Sequence, residues 1–266
     1  MKNRVPGIVS LFLLVSLLTA VGCGAKKERL SVAGSTSVQP IAEVLAEEYM
    51  STEPKRVINV QGGGSSAGIK AVKDGTAEIG TSSRLLKPDE KTGLTAVEIA
   101  LDGIAIVTHP DNPVKDLSME QLRKIYSGEI KNWSKVGGKD AEIMVVNREE
   151  GSGTRTAFID IVMGDTTLGT KSIVQGSTGA VRQSVSSDLK AIGYISLAAL
   201  NSSVKTIRIN GVPCTYENIK QKKYAVIRPF LFIYKQPAAN GVQDFINYVL
   251  DEGQRFVRKN GLIAVK

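Results

Sequence analysis

The sequence predicts an α/β protein built as two units. Strand-like and helix-like segments alternate from residue 30 onward. The prolines of HPDNP, residues 109–113, punctuate the chain before a second such series begins. Glycine–serine turns stand between strands and helices in both halves. The 266 residues suffice for one large domain or two small ones, and 42% hydrophobic with 23% charged residues is the make-up of a soluble globular chain.

The N-terminal segment comes first. Lys2 and Arg4 precede an apolar run from Ile8 to Val21, the pattern of an export signal and too short for a comfortable membrane span. Small residues stand just before Cys23, an arrangement that resembles the lipobox of bacterial lipoproteins, although Ala20 sits where leucine is commoner. That resemblance implies a signal peptide over residues 1–22, cleavage before Cys23 and lipid on its sulfur. The protein would then be exported and membrane-anchored on the periplasmic or outer cell-surface side. The alternative is an ordinary signal peptide, with Cys23 discarded or idle. Removing Lys2 and Arg4 with residues 1–22 lowers the formal charge from +8 to +6.

Residues 23–29, with the polar GAKKER, read as a tether. LSVAG then reads as a strand, and Val38, Ile41, Ala42, Leu45 and Tyr49 share one face of a helix. RVINVQ is a second strand, Ser66 to Lys73 a short helix, and AEIGTSS a third strand. TAVEIALDGIAIVTHP reads as two strands hinged at Asp102-Gly103. Strand–helix–strand–helix order favours a parallel sheet with helices on its faces. In the second unit Ser118 and Gln121 form a capping box for SMEQLRKIYSG. AEIMVVN is a strand, SGTRTAFIDIVMG a helix and KSIVQ a strand. A helix from about Ser177 to Ser187 follows, then the strand AIGYI and the strand and turn KTIRINGV. YAVIRPFLFIYK is a long apolar strand with a bend at Pro229. The remainder, from Gly241 to Val265, reads as helical, with Phe245, Ile246, Val249 and Leu250 on one face. Strands 103–107 and 225–234 are the candidate crossings between units. The division is 30–107 plus 227–266 for the first lobe and 108–226 for the second, and a cleft between lobes is a usual place for a small ligand.

Composition narrows the partners. Aromatics are 5% and the basic residues are scattered, so a nucleic-acid surface is not expected, while a modest positive field would steer a small anion. With Cys23 lipidated, Cys214 stands alone and the fold must rest on its core rather than on a disulfide. No His and Cys have zinc spacing, and neither metal nor cofactor is expected.

Four short stretches share one design: GSTSVQP (34–40), GGGSSAG (62–68), GTSSR (80–84) and REEGSGT (148–154). At least three follow a strand and open a helix, where unpaired N–H groups carry about half a positive charge. Glycine permits close approach and Ser or Thr adds a hydroxyl, so each is a metal-free anion site. Arginine offers a planar fork for an oxyanion. Any single one could be no more than an N-cap, but capping requires neither the glycine clusters nor Arg84 and Arg148. Gly64, Ser66 and Gly68 also fit the nucleophile elbow G-x-S-x-G, with His109 downstream and Asp74, Asp89 or Asp102 between. His109 comes too early in the chain for that role, no HGGG-type stretch is present, and it reads as a surface or hinge residue. A Walker loop fails because Ile69 and Lys70 follow Gly68. Glu149 and Glu150 read as ion-pair partners that fix Arg148 rather than as acid and base, and Trp133 reads as packing.

Together with SGEIKNWSKVGG and AIGYISLAAL, these motifs, in this order, resemble the phosphate-binding protein of the bacterial phosphate ABC transporter (PstS-type), over about residue 30 to 266. The resemblance implies a two-lobed periplasmic-binding-protein-like fold of type II. Two crossover hinge strands would join the lobes, and one phosphate would lie in the inter-lobe cleft without catalysis. It implies a monomer that docks on the permease subunits of an ABC importer. Thr36, Ser37 and Ser65 match the first lobe's phosphate ligands. Arg148 matches the phosphate arginine, Glu150 the acidic residue bracing it, and Ser152, Gly153 and Thr154 the second lobe's loop. Ser83, followed by Arg84, stands where longer family members carry an aspartate that accepts the phosphate proton. A serine carries no charge to exclude sulfate, so selectivity is less determined than oxyanion binding. The alternatives are a receptor for molybdate, tungstate or sulfate, a secreted esterase using Ser66, and a surface adhesin or signalling lipoprotein with a vestigial site.

Overall fold

The computed structural model describes residues 28–266. The signal segment, Cys23 and the tether up to residue 27 lie outside the described residues. Glu28 and Arg29, expected in the tether, already belong to the first strand, because they pair in register with Arg56 and Val57. The first series runs β1 (Glu28–Gly34), α1 (Gln39–Thr52), β2 (Arg56–Gly62), α2 (Ser65–Asp74), β3 (Ile79–Ser82) and β4 (Leu94–Thr108). The second runs β5 (Asp116–Leu117), α3 (Met119–Ser127), β6 (Met144–Arg148), α4 (Gly153–Phe158), β7 (Ile173–Gln175), α5 (Thr178–Ser186), β8 (Ala191–Ser196), β9 (Lys205–Thr206), β10 (Arg208–Ile209) and α6 (Tyr216–Lys220). The chain then returns through β11 (Ile227–Lys235), α7 (Val242–Leu250), α8 (Gln254–Lys259) and β12 (Ile263–Ala264).

The strands order as β2-β1-β3-β11-β4-β8-β6-β7, with β9 and β12 also paired to β4. β1 lies parallel to β2 and β3, and β6 parallel to β7 and β8. These are the parallel pairs that helical crossovers dictate. β4 is one continuous strand rather than two. Its first part, to Gly103, pairs antiparallel with β11, and Ile104 to Thr108 pair antiparallel with β8. The buried apolar side chains fall into two clusters accordingly. Leu30, Leu45, Ile79, Phe232 and Phe245 belong to one. Trp133, Phe158, Val181, Tyr194 and Ile104–Val107 belong to the other. Residues 104–107 therefore pack in the second core, and the change of core along β4 falls between Ala100, in the first, and Leu101, packed against the second. Cys214 is buried there as a free thiol.

Local signals account for most elements. Ser118 Oγ accepts from the Gln121 N–H (3.0 Å) and Gln121 Oε1 from the Ser118 N–H (2.8 Å), closing the expected capping box. Pro229 is tolerated because β11 meets β3 only from Leu231 to Ile233, and the β4 pairing shifts register between Phe230 and Leu231. The C-terminal segment is not one helix. The buried Gln254 side chain donates to the Val249 (2.8 Å) and Ile99 (3.1 Å) carbonyls and accepts from the Val265 N–H (2.9 Å). It thereby closes α7 and fixes the strand end after α8. The helix begun at Gly153 widens off α geometry over Ile159–Met163, one π turn before Gly164.

Candidate functional site

All the glycine–serine stretches sit at the carboxyl ends of parallel strands, where open α/β sheets place their ligands. From the first lobe come the turn after β1, the β2–α2 turn and the end of β3. Gly64, at φ 93, adopts a conformation open to glycine, and its neighbour Ser66 donates its N–H to the Gly151 carbonyl of the other lobe (3.2 Å). From the second lobe come Arg148 at the end of β6, the start of α4, and the start of α5.

These groups meet. Ser37 Oγ lies 3.0 Å from Thr154 Oγ1 and 2.7 Å from Thr178 Oγ1. Arg148 donates from Nη2 to Thr36 Oγ1 (3.3 Å) and from Nη1 to Thr178 Oγ1 (3.3 Å). Ser83 N–H donates to Ser65 Oγ (3.1 Å), and Ser35 Oγ donates to Ser83 Oγ (3.0 Å). A side chain on Gly153 would stand 2.1 Å from Ser65 Oγ and 2.8 Å from Ser83 Oγ, so the α4 backbone is pressed against the first lobe. Ser37, Ser65, Ser83, Thr154 and Thr178 are all buried, and Arg148 is only 1% exposed.

The structure thus brings together Thr36, Ser37, Ser65, Ser83, Arg148, Gly153 and Thr154. Ser152 precedes Gly153 in the chain, and its Oγ is spent on capping α4, accepting from the Arg155 N–H (3.3 Å). Arg84 is taken up elsewhere. Its guanidinium forks on Glu90 (2.7 and 2.8 Å), with Ser66 Oγ and the Leu85 carbonyl as further acceptors, because a buried cation requires a carboxylate and Glu90 supplies it. Glu150 does not brace Arg148. It is exposed, whereas Glu149 takes Nε and Nη2 at 2.8 Å each. The Gln175 carbonyl also accepts from Nε (3.1 Å) and Tyr194 Oη from the Arg148 N–H (3.3 Å), which fixes the arginine from behind. Tyr194 is itself stacked on Phe158 at 4.2 Å. Ser66 and His109 form no triad. Ser66 Oγ meets Arg84, while His109 Nδ1 accepts from the Asp111 N–H within its own turn (3.1 Å).

Sequence reasoning missed three groups. Ser35 stands one residue before the expected Thr36. Thr178 opens α5 in GSTG, residues 176–179, a fifth copy of the glycine–serine design that could have been recognised. The third is the pair of Asp102 on β4 and Arg228 on β11, directly opposed in the ladder. Arg228 meets Asp102 Oδ2 through Nε (2.9 Å) and Nη2 (2.9 Å), and Ser196 Oγ donates to Oδ1 (2.8 Å). Burial raises the Asp102 carboxyl and lowers the Arg228 guanidinium, and their contact opposes both shifts. A guanidinium holds its proton, so this is an ion pair. Its signal was a charge in the middle of each of two apolar strands. Among the described residues no cluster of three His, Cys, Asp or Glu could hold a metal ion, and no helix is long and apolar enough to cross a membrane.

Two lobes sharing strands, with strand-end loops from both facing one another, define a binding-protein architecture, and residues 21–252 match the model of the PBP superfamily domain. The phosphate-binding protein PstS of Bacillus subtilis is 31% identical over 290 residues, covering 99% of this chain and 95% of the relative. A substrate-binding protein of Clostridium perfringens, solved with bound phosphate, is 45% identical at a TM-score of 0.87, covering 90% of this chain and 100% of its own. An ABC-type phosphate transport receptor from Vibrio cholerae is 36% identical at a TM-score of 0.74, covering 88% and 99%. The chain belongs to the PstS family of phosphate-binding proteins.

Proposed function

We propose that this protein captures inorganic phosphate between its lobes and delivers it to an ABC-type phosphate importer. One arrangement carries the reading: hydroxyls of both lobes lie within 3.0 Å of one another around Ser37, beside the Arg148 fork. Each hydroxyl has one hydrogen, which rotates to suit its partner. An oxyanion entering the cluster takes the hydrogens these groups share, together with those of Arg148 and of the backbone at Gly153 and Thr154. Micromolar capture needs about 8 kcal/mol net, which a handful of charge-assisted hydrogen bonds of roughly 1.5–3 kcal/mol each supply after association costs. Thr36, Ser37, Ser65, Ser83, Arg148, Ser152, Gly153 and Thr154 are the proposed ligands, with Thr178 added and Glu149 as the brace. Arg84 is left out.

The phosphate-binding and transport relatives support transport rather than turnover, and among the described residues Ser66 Oγ meets Arg84 rather than a base. We take the lobes to pivot where β4 and β11 cross, near Asp102-Gly103 and Ile227. Lipidation of Cys23 and a monomeric receptor on the outer side of the membrane complete the reading. Radiolabelled palmitate incorporated into the wild type but not into Cys23→Ala tests the anchor. Calorimetric titration with phosphate, sulfate and molybdate tests the cargo. Phosphate should bind tightest, and sulfate binding as tightly as phosphate would overturn the choice.

A further inference from the structure

We propose that Arg228 is a second anion-binding guanidinium of this site, held at the strand crossing by Asp102. The inference rests on the anion-binding reading above and adds a residue to it. A guanidinium presents two hydrogen-bonding edges. The side edge of Arg228, Nε with Nη2, closes on Asp102 Oδ2. Nη1, the other end of the fork, meets the hydroxyl cluster by donating to Thr154 Oγ1 at 2.6 Å. Nη2 is buried, and its 2.9 Å contact with Asp102 is an ion pair without hydrogen-bond geometry, so it has no hydrogen-bond acceptor among the described residues. Arg228 is only 2% exposed, so water does not routinely serve that N–H, and an unmet buried donor on a cation is costly.

The same Thr154 hydroxyl lies 3.0 Å from Ser37 Oγ, which puts Nη1 of Arg228 one hydroxyl away from the groups around Arg148. The Arg148 charge is close enough to disfavour the Arg228 charge. Two buried cations that repel one another gain most from an anion between them. Each has its own carboxylate, Glu149 for Arg148 and Asp102 for Arg228. The carboxylates orient the forks and leave the remaining N–H groups turned to the threonine hydroxyls of the cluster, Thr36 and Thr178 for Arg148 and Thr154 for Arg228. Arg228 enters from the crossing strand β11, so an anion held by it also touches the segment about which the lobes move. Closure and binding are thereby coupled through one side chain.

The test is calorimetric titration of the exported protein with inorganic phosphate, in wild type, Arg228→Lys and the double variant Arg228→Met/Asp102→Leu. Replacing both members with apolar groups avoids a stranded buried charge, so the ligand-free double variant should melt within about 4 °C of wild type. Its phosphate affinity should fall about 10- to 150-fold, the loss of one charge-assisted hydrogen bond. Arg228→Lys keeps the charge without the fork and should fall between the two. A purely structural role predicts lost melting temperature without that graded order. An affinity of the double variant within about threefold of wild type would overturn the inference. Should the double variant fail to fold, Arg228→Lys decides alone: more than about a threefold loss supports the role and less refutes it. A wild type that does not bind phosphate would instead overturn the reading of the site itself.

Discussion

Replacing Gly153 with alanine separates lobe closure from lobe stability. Gly153 is the first residue of α4, where alanine is a good helix former, so the second lobe should fold as before. The new methyl would stand 2.1 Å from Ser65 Oγ and 2.9 Å from Ser65 Cβ, both across the cleft. Ordinary contact needs about 3.4 Å or more, so the lobes must separate locally by more than about 1 Å. That stretches the 3.0 Å contact of Ser37 with Thr154 beyond hydrogen-bond reach. An anion bridging both lobes would lose its bonds to one of them. Two charge-assisted bonds at roughly 1.5–3 kcal/mol each put the loss at about 3–6 kcal/mol, or a weakening of about 10²- to 10⁴-fold. Phosphate calorimetry measures the affinity and ligand-free melting the stability. Gly153→Ala binding phosphate within about threefold of wild type would refute the claim that the bound anion requires this close approach.

Glu149→Gln should weaken phosphate binding about tenfold, because Arg148 loses its charged brace, while Glu150→Gln leaves it unchanged. The reverse order in a titration would return the bracing role to Glu150. Asp102→Ala leaves the Arg228 charge buried without its partner and should cost about 3–5 kcal/mol in urea unfolding, and a loss under about 1 kcal/mol would contradict the pairing. Hydrogen bonds from Arg84 hold the Glu90 carboxyl below its usual value of 4.5. The folded state therefore binds that proton less readily than the unfolded chain does. The stabilisation is present above about pH 4.5 and is lost as pH falls through the lowered value. Glu90→Gln should flatten the acid side of the stability–pH curve, and an unaltered slope would show that the pair contributes nothing.

The strand–helix order and the hydroxyls that meet around Ser37 were legible because their signals are local. β1 to α2 follow from residue patterns, and the strand-end glycine–serine turns supply the hydroxyls that meet. Other features depend on partners distant in sequence. Arg84 looked like an anion ligand because its neighbours were Gly80 to Ser83, and the fork to Glu90 depends on how the following turn folds back. Glu149 and Glu150 are adjacent, and only the path of the backbone after β6 decides which one faces Arg148. Asp102 and Arg228 are 126 residues apart, and only the antiparallel register of β4 and β11 joins them. The terminal helix divides because Gln254 meets Ile99, on a strand 155 residues earlier.

A crystal structure of the phosphate complex tests the central claim most directly. One anion should lie between the lobes, within hydrogen-bond distance of Arg148, Ser37, Ser65 and the Gly153–Thr154 backbone. Phosphate bound to one lobe alone, or outside this cluster with Arg148 still closed on Thr36 and Thr178, would contradict it.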